Sequence, residues 1–148
     1  MSDVSLRCSS SPRVLAVSVL LWGAAALSAH AADLSVEVQG ARSAQGQVAA
    51  AVFSEAGTWM KTELAVQSQM APAGDKVVIV FRDLAPGRYA VTAFHDENGN
   101  NKLDTNLIGM PQEPYGFSRN AQGRMGQPRF DDAALDVQAD TQNAIVLR

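Results

Sequence analysis

Hydrophobic and polar residues alternate with a period of two along most of the chain after residue 32. In "LSVEVQ", Leu34, Val36 and Val38 are set against Ser35, Glu37 and Gln39, the pattern of a strand with one dry and one wet face. The runs Gly46 to Phe53, Leu64 to Met70, Lys76 to Phe81, Gly87 to His95, Ala133 to Gln138 and Asn143 to Arg148 follow, punctuated by turn-forming "SEAGTW" and "APAGD". About seven short strands without helix–strand alternation predict an all-β domain, a single antiparallel β-sandwich. Thr58 to Val66 is also compatible with one or two helical turns, and periodicity alone leaves both options open. In "DLAPGRY", Pro86 presets φ and Gly87 is free to take a positive one; Tyr89 then enters the hairpin as a buried anchor whose hydroxyl needs a backbone acceptor.

Residues 1–31 have a different character. Arg7 and Arg13 precede the apolar run Val14 to Leu27, and Ala29-His30-Ala31 fits a signal-peptidase site, so a signal peptide cleaved after Ala31 is expected. The run is shorter than the roughly 20 residues a spanning helix needs, and no transmembrane span is expected after cleavage. Cys8 precedes the apolar run, so it is not a lipoprotein cysteine, and it leaves with the signal. The expected mature domain, 32–148, has no cysteine for a disulfide, thiolate metal site or nucleophile, and one histidine, His95. It carries 10 basic and 14 acidic residues, a formal charge of −4, which does not suit a nucleic-acid partner.

The most patterned polar stretch is "HDENGNNKLD", residues 95–104. Asp96, Asn98, Asn100 and Asp104 occupy relative positions 1, 3, 5 and 9, and Lys102 stands at position 7, where a backbone carbonyl serves. This is the spacing by which a twelve-residue loop wraps a calcium ion. Two positions depart from it: Asn101 replaces the usual glycine at position 6 and Leu107 the closing glutamate at position 12. Calcium is the candidate cofactor, held weakly, with a dissociation constant on the order of 0.1–1 mM. Asn106, Glu97 and Glu113 are further oxygen donors; the competing reading is an Asx-rich turn closed on its own backbone. From Asn106 to Asp132 neither periodicity persists, apart from a short edge strand suggested near Tyr115 to Ser118. Arg119, Arg124 and Arg129 recur every five residues there. With Tyr115 and Phe117 as apolar walls they form a candidate ligand-binding loop for an anion.

The stretches "LAPGRYAVTAFHDENGNNKLDTNLIGMPQEPYGFSRNA" and "PRFDDAALDV" resemble an exported bacterial family known as domain of unknown function 2141. The resemblance covers essentially all of the expected mature chain, and its most specific part runs from His95 to Ser118. It implies a small sandwich of the prealbumin-like or carboxypeptidase-regulatory-like sort without an established activity. Asn101 and Pro114 stand where that family is expected to have glycine. The chain has no G-x-S-x-G elbow, H-E-x-x-H motif or phosphate-binding glycine loop. The expectation is a non-enzymatic binding or structural module, periplasmic or secreted, whose partner is an envelope protein or a small ligand. The alternative is a small periplasmic hydrolase of the transthyretin-like type using His95 and Asp96.

Overall fold

The computed structural model describes residues 30–148, and all but the last two residues of the expected signal peptide lie outside that range. The described residues hold eight strands: β1 (Ala32–Gln39), β2 (Gln47–Phe53), β3 (Gln67–Pro72), β4 (Lys76–Leu84), β5 (Gly87–Asp96), β6 (Tyr115–Phe117), β7 (Leu135–Val137) and β8 (Thr141–Val146). A helical turn, α1 (Phe130–Ala133), and 3-10 turns at Thr62–Leu64 and Ser118–Asn120 complete them. The strands form two sheets, one ordered β4-β1-β8 and the other β3-β2-β5-β6 with β7 also on β5. The ambiguous stretch 58–66 resolves into turns, so β3 starts three residues later than alternation suggests.

One pairing departs from the antiparallel expectation: β1 and β8 run parallel, Leu34 opposite Thr141 through Gln39 opposite Val146. Hairpin turns force antiparallel neighbours, but β8 reaches β1 by crossing over from β7 in the other sheet. That crossover frees its direction.

β1 is buried at every second position, as its sequence predicts. Leu34, Val36 and Val38 meet Val48, Ala50, Val52, Ile79, Phe81, Val91 and Ile145 between the sheets. β2 is buried on both faces, which is why it reads as an unbroken apolar run. Its other face, with Ala51 and Phe53, joins Ala90, Phe117, Phe130, Ala133 and Ala134 in a second core outside the five-stranded sheet. Trp59 covers this core, its ring edge-on to Phe53 at 5.4 Å and to Phe130 at 6.0 Å, its indole N–H donating to the Pro128 carbonyl at 2.9 Å.

One edge of β5 explains the long aperiodic segment. β6 pairs with Thr92–Phe94 and β7 with Gly87–Tyr89, so residues 118–134 leave that edge, fold over the outer core and return to it. Tyr89 is buried, and its hydroxyl donates to the Ala85 carbonyl at 2.7 Å, the anchor the turn chemistry predicts. The positive φ near this turn belongs to Asp83, at 57°, rather than to Gly87.

Candidate functional site

β5 delivers His95 and Asp96 to the start of the 96–104 loop, both with no exposed surface. His95 does not face Asp96 as a base faces its orienting acid. Its Nδ1 accepts from the Arg42 backbone N–H at 3.2 Å, and its Nε2 lies 2.7 Å from the Gln45 carbonyl. An N–H can only donate and a carbonyl only accept, so these partners select the neutral ring protonated on Nε2. The imidazole thereby pins the 41–46 connection to β5.

Asp96 organises the loop. Oδ1 accepts from the backbone N–H groups of Gly99 (2.8 Å) and Asn100 (3.1 Å), and Oδ2 from that of Asn101 (2.8 Å) and the Gln47 side-chain amide (3.0 Å). Burial would raise the pKa of this carboxyl. The Gln47 amide and the Asn101, Asn100 and Gly99 amides outweigh it and hold the group below its ordinary value. The bend that lets three consecutive N–H groups converge uses left-handed backbone at Gly99 (φ 72°) and Asn101 (φ 62°). Asparagine tolerates that conformation, so the absent glycine leaves the turn intact.

Two of the remaining ligand positions, Asn98 and Asn100, converge on Asp104. The Asp104 carboxylate accepts from the side-chain amides of Asn98 at 2.6 Å and Asn100 at 2.8 Å. Their Oδ1 atoms accept from the backbone N–H groups of Asn100 and Lys102. Two amide N–H groups thus stand against Asp104 where a cation would sit; rotating both amides would present two further oxygens there. Among the described residues no three His, Cys, Asp or Glu side chains form a metal-ligating cluster, so the oxygens of this loop come mainly from asparagine amides and single carboxylates.

Glu113 acts as the loop's closing acid in another way. It is buried, and its two oxygens accept from the backbone N–H groups of Glu97 (3.1 Å) and Asp104 (3.0 Å), clamping both ends. Glu97 turns aside to accept from the Ser43 hydroxyl at 2.8 Å. Asn106 lies beyond the loop and organises the next turn through Ile108 N–H and Met110 N–H. Gln47, which bridges Asp96 and the Asn101 side chain, is a loop-forming residue that sequence reasoning missed. No local signal marks it, because its role comes from its place at the start of β2, directly opposite Asp96 in the ladder.

The second candidate set is divided. Tyr115 and Phe117 line an open cleft of about 320 Å³ with Asn120, Pro128, Val146 and Arg148, whereas Arg119, Arg124 and Arg129 are not among its lining residues. The Arg119 guanidinium donates to the Ala134 carbonyl at 3.4 Å, Arg129 lies at the start of α1 with its N–H on Asp132 Oδ2, and Arg124 is exposed in the connecting loop.

A two-sheet scaffold carrying an acidic, asparagine-rich loop at one sheet end defines a small all-β protein whose distinctive chemistry sits on loops. A family model described as "Uncharacterized protein conserved in bacteria (DUF2141)" matches residues 36–145, and the chain belongs to that family. No curated protein and no solved structure matches it.

Proposed function

We propose that this chain is an exported, non-catalytic binding or structural module of the bacterial envelope, with a weak calcium loop at Asp96, Asn98, Asn100, Asp104 and the Lys102 carbonyl. The observation that carries the non-catalytic reading is the use made of His95 and Asp96. Every polar side-chain atom of the pair is spent on a loop-forming hydrogen bond, and neither residue is exposed. A general base needs a free lone pair within reach of substrate. Among the described residues no helix is long and apolar enough to cross a membrane.

The calcium reading rests on the gathering of Asn98, Asn100 and Asp104 around one point. A cation entering there must break both amide–carboxylate bonds and finds Asp96 already engaged, which supports millimolar rather than micromolar affinity. Thermal unfolding in chelator and then in 10 mM calcium tests it. A dissociation constant of 0.1–1 mM gives a stabilisation of about 1.4 to 2.7 kcal/mol at that concentration. Asp104→Ala should abolish the calcium response and leave the midpoint in chelator nearly unchanged. An unaltered chain whose midpoint ignores calcium is not a calcium protein, and turnover of any ester or amide that is lost in His95→Gln would overturn the non-catalytic assignment.

A further inference from the structure

Next to the 96–104 loop the chain makes a second, smaller turn with the opposite character. Thr105 and Pro111 form an isolated antiparallel bridge, and between them Leu107, Ile108 and Met110 are 107%, 83% and 58% exposed. Hydrophobic burial opposes such a display, yet the turn holds it in a defined conformation. Asn106 is the organiser: its N–H donates to the Met110 carbonyl at 2.8 Å, its carbonyl accepts from Gly109 N–H at 2.9 Å, and its Oδ1 accepts from Ile108 N–H and Met110 N–H. Gly109 supplies the left-handed φ of 79°.

We infer that this turn is a membrane-contact tip that inserts Leu107, Ile108 and Met110 into the interfacial region of a phospholipid surface. Four of its five amide N–H groups, those of Asn106, Ile108, Gly109 and Met110, are bonded within the turn, and Pro111 has none. Satisfying most of its N–H groups internally lowers the cost of taking the turn out of water, whereas a protein groove that recognises an extended segment uses free backbone groups. From Thr105 to Gln112 the sequence has no charged side chain to desolvate. At the base, Arg42 places its guanidinium on the Gln112 carbonyl at 3.3 Å, the level at which an arginine meets lipid phosphate. Of the neighbouring carboxylates, Asp96 and Glu113 are buried against N–H donors, while Glu97 and Asp104 are half-buried on the polar loop. The inference extends the envelope-module reading and does not depend on calcium.

The test uses the full chain with Cys8→Ser and Ile108→Cys carrying an environment-sensitive fluorophore, and a second chain with Cys8→Ser and Gln142→Cys, labelled on the outer face of β8. Vesicles of equal parts phosphatidylcholine and phosphatidylglycerol are added in chelator. Insertion predicts a several-fold, blue-shifted rise in emission at 108 and no change at 142. A chain tethered only by residues 14–27 would leave both probes in water, and that result overturns the inference. So does an equal response at both positions, or a blue shift at 108 that grows with protein concentration without vesicles, which would assign the tip to a second copy. None of these outcomes bears on the calcium response of the midpoint, so the two readings fail separately.

Discussion

At the scale of single residues, Asp96 and Asp104 look equivalent in the sequence and are not equivalent in the fold. Asp96 gathers four N–H donors in a site without solvent, and Asp104 touches two exposed asparagine amides. Asp96→Ala therefore strands the Gln47 amide and three backbone N–H groups and should cost about 3 kcal/mol, whereas Asp104→Ala should cost under about 1 kcal/mol. Urea unfolding of both variants checks the contrast. The pH dependence follows from the depressed folded-state pKa of Asp96. A lowered pKa means that the carboxylate contributes its stability above the ordinary aspartate value of about 3.9, and that this contribution is lost as pH falls through the lower folded value. The gap between the unaltered chain and Asp96→Asn should be flat from about pH 5 to 7 and close on acidification below about pH 4. A gap that widened in acid would mean that the carboxyl is folded in its neutral form.

At the scale of elements, the sandwich closes along both seams, and the two closures use different chemistry. On one side Gln67 and Gln69 of β3 donate their side-chain amides to the Arg82 and Val80 carbonyls of β4 at 2.7 and 2.8 Å, covering an edge that would otherwise be open to another strand. On the other, Tyr115 at the start of β6 and Arg148 beyond β8 exchange both backbone bonds, at 3.1 and 3.0 Å, while Asn120 accepts from Val146 N–H and donates to the Ala144 carbonyl in place of a neighbouring strand. Gly116 makes the second seam possible: a Cβ there would lie 2.6 Å from Ile145 Cγ2 and 3.0 Å from the Val146 carbonyl. Gly116→Ala should destabilise by about 2 kcal/mol, and Gly74→Ala, which meets nothing within 4 Å, should be neutral to within about 0.5 kcal/mol in the same urea assay. The strands themselves were largely legible, because alternation in Leu34 to Gln39 and the turn at Pro86 are local signals. The direction of β8 and the seam at Gly116 were not, since both depend on which distant segments meet. In the polar loop the Asx-rich spacing was legible, and the structure brings the Asn98 and Asn100 amides onto Asp104 while Asp96 holds the backbone of the turn. The parts played by Gln47 and Glu113 depend on the ladder and on the return of the chain at residue 113.

At the scale of the whole molecule, two cores share one sheet. Val48, Ala50 and Val52 of β2 face inward and Ala51 and Phe53 outward, so the strand belongs to both. The outer core is roofed by segments far apart in sequence, Trp59 from one connection, Phe117 from the end of β6, and Phe130 and Ala133 from the segment that follows it. A roof of this kind unfolds either alone or with the sheet beneath it, and Trp59 decides between the two because its ring meets Phe53 of β2, Phe117 of β6 and Phe130 of α1. Trp59→Ala should cost about 3 kcal/mol, the loss for a partly buried large aromatic. Because β2 packs against both cores, amide-exchange protection should fall together at Ala51, Val52 and Phe53 rather than only in the 54–66 and 118–134 connections. Equal loss along β2 would establish one cooperative unit that joins the roof to the entire sandwich. Loss confined to the connections would make the roof a separate unit, able to open over an intact sheet.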